Sequence, residues 1–333
     1  MTADKKFRKR ALIALALAFP LVLTSCTADD EPAASAPAAA SGGGGDGYGY
    51  TFAAVTHGAA GDAFWSVVKS GVEKAAADQG VQVEYQSDGD PQKQAQLIDA
   101  AVNQKVDGLI VSMANPDALK ASVQKAVAAG IPVITINSGQ DRSAEFGAMA
   151  HVGQDEQVAG EAAGQRLRQA GVSKLLCVIH EAGNVGLEQR CSAAKAGLGA
   201  TAENLQVDNN NLTGAQSTIK AKLQQDSSID GVLTLGGQMA GVAANAIKES
   251  GSTARLATFD LNSDVAKLVQ DGSVAFAVDQ QPYTQGYLPV VMLTLYRSNL
   301  NTIGGGQPVL TGPSFVTKEN AAQILQLADK GTR

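Results

Sequence analysis

The chain has 333 residues, of which 44% are apolar and 17% are charged, and its formal net charge is −6. This composition is typical of an ordinary water-soluble protein and offers no polybasic surface, so we expect no nucleic-acid partner. A chain of this length usually divides into two domains.

The first 25 residues have the features of an export signal. Five basic residues between Lys5 and Arg10 precede an apolar run over 11–23, and small residues then lead to Cys26. This order predicts a bacterial lipoprotein signal over 1–25, with Cys26 as the lipidated first residue of the mature protein. The apolar run holds only 13 residues and contains Pro20, whereas a spanning helix needs about 20. We therefore predict an extracytoplasmic protein that is held at the cell membrane only by the lipid.

Residues 26–49 form the next segment and are rich in Ala, Ser, Pro and Gly. Such a composition cannot bury a core, so it predicts a flexible tether with a root-mean-square span of about 25 Å. Three of its glycines fit the spacing of a dinucleotide-binding loop. No strand precedes them, and we reject that motif.

From Tyr50 onward, short β-branched runs alternate with amphipathic helical stretches such as 92–104 and 118–129. This alternation predicts an α/β fold in which strand–helix–strand units build parallel sheets. The predicted strands are 50–56, 81–86, 108–112, 133–137, 174–180, 205–208, 231–235, 255–260 and 274–279.

One strand–helix–strand unit occurs twice. The distances from Asp107 to Asn137 and from Asp230 to Asp260 are both 30 residues. Each unit ends with a polar side chain at the carboxyl end of a parallel strand, which is where ligands bind in open α/β sheets. Two such halves facing one another would place Asn137 and Asp260 in one cleft, although Asn and Asp at strand ends also serve as turn or helix caps.

A glycine-rich loop after the first strand leads to Asp62, Phe64 and Trp65 at the start of a helix. Trp65 could belong to the core stripe of that helix. Its position favours a ligand site, because adjacent Phe64 and Trp65 are not expected to share one buried stripe and the first helical turn lies at the ligand edge of the sheet. An aromatic ring there can stack on a sugar, and Asp62 can accept hydroxyl hydrogen bonds or cap the helix.

Two further polar residues follow predicted strands. Arg190 offers a rigid fork of donors that suits paired hydroxyls or a carboxylate, and Gln280 combines a donor with an acceptor. Solvation at the surface is the alternative for both. Cys177 and Cys191 lie 14 residues apart and could form a disulfide in an oxidising compartment or remain two separate buried thiols.

The stretch from Gly61 to Gly71 resembles the first binding loop and helix of the ribose-type periplasmic sugar-binding proteins. Four further motifs follow in the order expected for that family, and the likeness covers nearly all of 50–333. These motifs are Val106–Val111, Gly130–Ile134, Thr258–Asp260 and Asp279–Pro282.

The resemblance implies a type I periplasmic-binding-protein fold, in which two Rossmann-like lobes with parallel sheets are joined by a three-strand hinge. The implied N-terminal lobe is 50–151 plus 281–310, and the C-terminal lobe is 152–280 plus 311–333. Members of this family are binding subunits of ABC importers and close over a monosaccharide. The implied partners are therefore a small neutral sugar or polyol and an ABC permease with its ATPase. We expect a monomer.

By the same resemblance, Phe64 and Trp65 stand where two aromatics sandwich the sugar, and Asp62 stands where the family usually has Asn. The three positions that hydrogen-bond the sugar hydroxyls are Arg190, Asp260 and Gln280.

Departures from the family pattern affect the ligand. Asn137-Ser138 replaces an Asp-Arg pair, and the aromatic of the second lobe is absent, with Asn210 or Asn211 near its place. The resemblance therefore does not imply ribose bound in the ribose manner. His57 and His180 end strands on the cleft side and are weaker candidates for replacing the lost contacts.

Other functions are less well supported by the sequence. It contains no G-x-S-x-G, H-E-x-x-H, P-loop or C-x-x-C motif, and its three histidines are scattered, so we predict a protein that is not an enzyme and has no cofactor or metal site. A sensory lipoprotein that presents a sugar-like signal to a membrane receptor remains open. Asp62 and Asp260 are expected to balance Arg190, which favours a neutral ligand.

Overall fold

The computed structural model describes residues 47–59 and 61–333, which belong to one compact unit. The predicted signal peptide over 1–25, the lipidation site Cys26 and most of the tether lie outside the described residues. No helix in the described part combines the length and the apolar character needed to cross a membrane.

The described residues contain twelve strands and eleven helices. The strands are β1 (Thr51–Thr56), β2 (Gln82–Ser87), β3 (Gly108–Ser112), β4 (Val133–Ile136), β5 (Ala150–Gly153), β6 (Lys174–Ile179), β7 (Thr201–Gln206), β8 (Gly231–Thr234), β9 (Arg255–Phe259), β10 (Ala277–Asp279), β11 (Val309–Leu310) and β12 (Ser314–Val316). The helices are α1 (Ala63–Gln79), α2 (Pro91–Gln104), α3 (Pro116–Ala128), α4 (Gln140–Ser143), α5 (Glu156–Gln169), α6 (Val185–Leu198), α7 (Leu212–Gln225), α8 (Gly237–Ser250), α9 (Ser263–Asp271), α10 (Pro282–Asn299) and α11 (Ala321–Ala328).

The strands form two six-stranded sheets of matching topology. The first has the order β11-β5-β4-β3-β1-β2 and the second β12-β10-β9-β8-β6-β7. All pairs are parallel except β10 with β12. Central strands such as β3 are buried throughout, because helices cover both faces of each sheet. The predicted α/β fold with two lobes is confirmed.

The chain changes sheets three times. It passes from the first lobe to the second after β5, returns after β10, and passes again between β11 and β12. The long helix α10 packs on α1 and so belongs to the first lobe. Gly71 and Gly286 lie at this helix crossing, where an added Cβ at either position would meet the backbone carbonyl of the other helix. The absence of side chains at these two positions allows the close approach.

All nine predicted strands are present, and most of their ends agree to within two residues. Two strand starts differ by more. β10 begins at Ala277, three residues after its predicted start. β7 starts at Thr201, four residues before its predicted start, because its polar sequence forms an edge strand that is largely exposed. The short strands β5, β11 and β12 were not predicted, since they have only two to four residues each.

Candidate functional site

The carboxyl ends of the strands in the two lobes surround a cavity of about 60 Å³. Polar side chains from both lobes line it together with two aromatic rings. Nine of the ten candidate ligand-binding residues from the sequence are among its lining residues: His57, Asp62, Phe64, Trp65, Asn137, His180, Arg190, Asp260 and Gln280. Asn210 is not among them and lines a larger neighbouring cavity, which is described below. Its side chain is exposed, and the neighbouring Asn209 lines the smaller cavity instead.

Phe64 and Trp65 form one wall of the cavity. Their rings meet edge to face with centroids 5.1 Å apart, and the Trp65 ring meets His57 in the same manner at 4.7 Å. Both side chains also pack into the core of the first lobe, with exposures of 9% and 6%. The expectation that these neighbours would not share one buried stripe is therefore wrong, because the first turn of α1 lies between the core and the cavity.

Local interactions fix the position of these aromatic rings. The Oδ1 atom of Asp62 accepts a hydrogen bond from the Trp65 backbone N–H at 3.2 Å and so caps α1. Gly58 lies so close to the indole ring that a Cβ at this position would collide with it. Burial raises the pKa of the Asp62 carboxyl, because the charged form loses its hydration.

Arg190 is held in a buried ion pair with Glu156. Its Nε and Nη2 atoms lie 2.6 and 2.7 Å from the two carboxylate oxygens of Glu156, and Nη1 donates to the Leu235 carbonyl at 3.1 Å. The guanidinium also lies over the Phe259 ring, 4.8 Å from its centroid. This corrects the expected charge balance, because the positive charge of Arg190 is compensated directly by Glu156.

A chain of amide and carboxylate groups joins the two lobes across the cavity. Asn137 and Asp260 directly follow β4 and β9, at equivalent places in the two sheets, and both have a positive φ, 62° and 67°. Asn and Asp adopt this conformation more readily than most residues. Gln280, at a crossing between the lobes, donates to the Asp260 carboxylate and accepts from Asn137 Nδ2 at 3.0 Å. The two residues that end the repeated units, Asn137 and Asp260, are therefore hydrogen-bonded to the same glutamine.

Two histidines and one glutamate form another part of the lining. His57 Nδ1 lies 2.7 Å from Ser112 Oγ, and Nε2 atoms of His57 and His180 each lie 4.0 Å from an oxygen of Glu181. Burial lowers the pKa of both imidazoles, so they are largely uncharged at neutral pH. Sequence reasoning did not select Glu181.

The carboxylates of the lining are not balanced by cations. Asp62, Glu181 and Asp260 face the cavity, and Arg190, which already pairs with Glu156, is the single Lys or Arg that the lining contains among residues 47–59 and 61–333. Such a lining accepts hydrogen bonds from hydroxyl groups and disfavours an anion. In the described part of the chain, no group of three or more His, Cys, Asp or Glu residues could hold a metal ion.

Comparison with known proteins identifies the family. The family model described as the periplasmic binding protein domain matches residues 52–299. The chain belongs to the periplasmic binding protein family. The resemblance seen in the motifs of the sequence is thereby confirmed, and the fold is that of a type I periplasmic sugar-binding protein.

Three relatives of this binding protein are informative. One is a carbohydrate transporter from Acidothermus cellulolyticus 11B, whose crystal structure is in complex with myo-inositol. Its sequence is 44% identical to this chain, and the two structures superpose with a TM-score of 0.84. The match covers 86% of this chain and 100% of that one. The xylose/arabinose-binding protein XylF of Sulfolobus acidocaldarius is 25% identical over 251 residues, 68% of this chain and 61% of XylF. The ribose import binding protein RbsB of Bacillus subtilis is 27% identical over 231 residues, 68% of this chain and 74% of RbsB. The alignment thus spans about three fifths of XylF. These relatives are named as binding or transport proteins, in agreement with the prediction that the chain is not an enzyme.

Asp260 gives this binding protein a measurable pH dependence. Burial raises the pKa of its carboxyl from 3.8 to about 7, although Arg190 and the hydrogen bond from Gln280 act in the opposite direction. The folded protein then keeps a proton that the unfolded chain releases, so this group lowers the free energy of unfolding as the pH rises from about 4 to about 7. An Asp260→Asn variant has no titrating group at this position, so its free energy of unfolding does not fall for this reason as the pH rises. In urea titrations, we expect its stability relative to the wild type to increase by about 1–3 kcal/mol between pH 5 and pH 8.

The control for this experiment is Asp264→Asn, the same substitution at an exposed residue in the first turn of α9, outside the cavity lining. It corrects for the general effect of removing one carboxylate. Parallel stability profiles for the wild type and the Asp260→Asn variant would contradict a raised pKa for Asp260.

Proposed function

We propose that the protein captures a neutral, hydroxyl-rich ring between its lobes, as the substrate-binding lipoprotein of an ABC importer. The observation that carries this proposal is the cavity at the strand ends, where two aromatic rings face a polar lining from both lobes. Aromatic rings stack on the C–H face of a sugar or cyclitol, while the polar side chains accept and donate to its hydroxyls.

Capture depends on contacts that only the closed lobes make together. The first lobe supplies the aromatic rings and Asn137, and the second supplies Arg190 and Asp260. Direct hydrogen bonds between the lobes support closure, such as that from the Val185 backbone N–H to the Ala114 carbonyl at 3.0 Å. A ligand that contacts both sets of residues stabilises the closed form by its differential affinity for that form.

The ligand class is a neutral monosaccharide, polyol or cyclitol. Because Glu156 already compensates Arg190, a phosphate or carboxylate on the ligand would meet carboxylates without a free cation. Among these ligands we favour a cyclitol, since the 44% identical carbohydrate transporter is in complex with myo-inositol.

Transport requires the protein to stay near its membrane partner. The predicted lipid on Cys26 and the tether over 26–49 would keep the folded part, as a monomer, close to an ABC permease with its cytoplasmic ATPase. The permease would recognise the closed lobes and take the ligand. Support for this step comes from the export signal in the sequence and from relatives named for import and transport.

A thermal-shift screen tests the ligand class. The panel pairs neutral compounds, including myo-inositol, glucose, galactose and arabinose, with anionic counterparts such as inositol monophosphate and glucuronate. A ligand at 100 times its Kd stabilises the folded state by about 2.7 kcal/mol, so we expect a clear rise in Tm with a neutral member. A rise with only the anionic members would contradict the proposal, and so would no rise with any member.

The Trp65→Ala variant tests whether the shift arises in the cavity. Removal of the stacking ring should weaken the affinity for the neutral ligand by about tenfold or more. The matched control is Tyr283→Ala, an aromatic residue on α10 that stacks on Tyr287 and does not line the cavity. Equal affinities of the Trp65→Ala variant and the wild type would place the ligand elsewhere.

A further inference from the structure

A second, larger cavity lies beside the first. It has a volume of about 600 Å³, against about 60 Å³ for the inner cavity described above. We call it the outer cavity. The two cavities share five lining residues, which are His57, His180, Glu181, Asn184 and Asn209. The two cavities therefore adjoin at these residues, and the outer cavity is large enough for a sugar ring.

Two polar atoms in the shared wall lack a partner. Nδ1 of His180 and Oδ1 of Asn209 are both buried without a hydrogen bond in the protein, and His180 is only 9% exposed. A buried polar atom without a partner is costly, and such atoms in native proteins usually meet water or a ligand. Both residues line both cavities, so a rotation of either side chain would bring its unpartnered atom to a ligand that extends from one cavity into the other.

The chemistry of the outer cavity suits a hydroxylated group. Its lining includes the carboxylates of Asp88, Asp90 and Asp208. Asp90 caps α2 by accepting from the Gln92 backbone N–H at 2.8 Å, so the carboxylate is fixed in place. Among the described residues, the lining contains no aromatic ring other than the two imidazoles. It therefore favours neutral groups that donate hydrogen bonds over apolar or anionic groups.

We propose that the outer cavity is a second subsite, which holds a sugar ring joined by a glycosidic bond to the ring in the inner cavity. The ligands then include disaccharides and glycosylated cyclitols as well as single rings. This inference rests on the proposed function, since it needs the first ring in the inner cavity. The two rings would meet where the cavities adjoin, at the five residues that line both.

Isothermal titration calorimetry on the purified protein tests the second subsite. The panel pairs myo-inositol, glucose and galactose with their mono-O-galactosides and mono-O-glucosides. We expect at least one two-ring compound to bind within tenfold of its free parent ring or more tightly. An Ala182→Trp variant should weaken that two-ring compound at least tenfold and change the affinity for the single ring less than threefold, because Ala182 lines the outer cavity alone.

The matched control is Ala200→Trp, at an exposed residue that lines neither cavity; it should leave both affinities unchanged. If a single ring binds and every two-ring compound binds more than tenfold more weakly, the second subsite is wrong while the proposed function stands. Equal affinities of the wild type and the Ala182→Trp variant for the two-ring compound also overturn the subsite. If the protein binds no member of the panel, the result contradicts both the proposed function and the second subsite.

Discussion

A Glu156→Gln variant should unfold with a free energy about 3–5 kcal/mol below that of the wild type. Arg190 and Glu156 form a bidentate pair whose side chains are 3% and 4% exposed. The amide of Gln keeps the shape of the side chain but removes its charge, so the guanidinium remains buried without a counter-ion. Urea denaturation monitored by circular dichroism would measure the change.

The neighbouring Glu161→Gln substitution is the matched control, because Glu161 lies on the same helix and is exposed. It should change the free energy of unfolding by less than about 0.5 kcal/mol. A double variant, Glu156→Leu with Arg190→Met, removes both charges and should recover much of the stability, since buried pairs are often replaceable by apolar side chains. A Glu156→Gln variant as stable as the wild type would show that the pair is not closed in solution.

The fold and part of the site can be predicted from sequence patterns that reflect the local physical preferences of strands and helices. Buried parallel strands are short apolar runs, and helices repeat apolar residues at their own period. The 30-residue spacing that ends at Asn137 and Asp260 reflects two lobes with the same strand order. Since the carboxyl ends of parallel strands meet at one edge, residues far apart in sequence could be assigned to one cleft before any coordinates were known.

The remaining features depend on tertiary contacts that a single sequence does not reveal. Glu156 pairs with Arg190 across 34 residues, and it looks like any acidic residue in the first turn of a helix. Glu181 accepts a hydrogen bond from Asn184 Nδ2 at 2.7 Å, and only the fold brings it to 4.0 Å from His57 of the other lobe. Asn210 was selected because the resemblance placed it near the missing aromatic, whereas β7 ends at Gln206 and the loop that follows brings Asn209 to the inner cavity.

Removal of the disulfide should lower the free energy of unfolding by about 2–5 kcal/mol. The structure joins Cys177 in β6 to Cys191 in α6, and both residues are almost fully buried. The bridge closes a loop with a sequence separation of 14 residues, for which the chain-entropy model gives about 3 kcal/mol. The Cys177→Ala, Cys191→Ala double variant, compared with the wild type in urea titrations, would measure the effect without leaving a free thiol.

The same variant provides its own control for reduction. Dithiothreitol should destabilise the wild type and leave the double variant unchanged, whereas a wild type insensitive to the reductant even when unfolded would contradict the pairing.

The bridge also bears on ligand capture, because Cys191 directly follows Arg190 and α6 begins at the cap residue Asn184 in the shared wall of the two cavities. Without the covalent link to β6, the helix is held in place only by non-covalent contacts, such as those of Arg190 with Glu156 and the Leu235 carbonyl. We therefore expect the double variant to bind the neutral ligand more weakly than the wild type, even under conditions where both are folded.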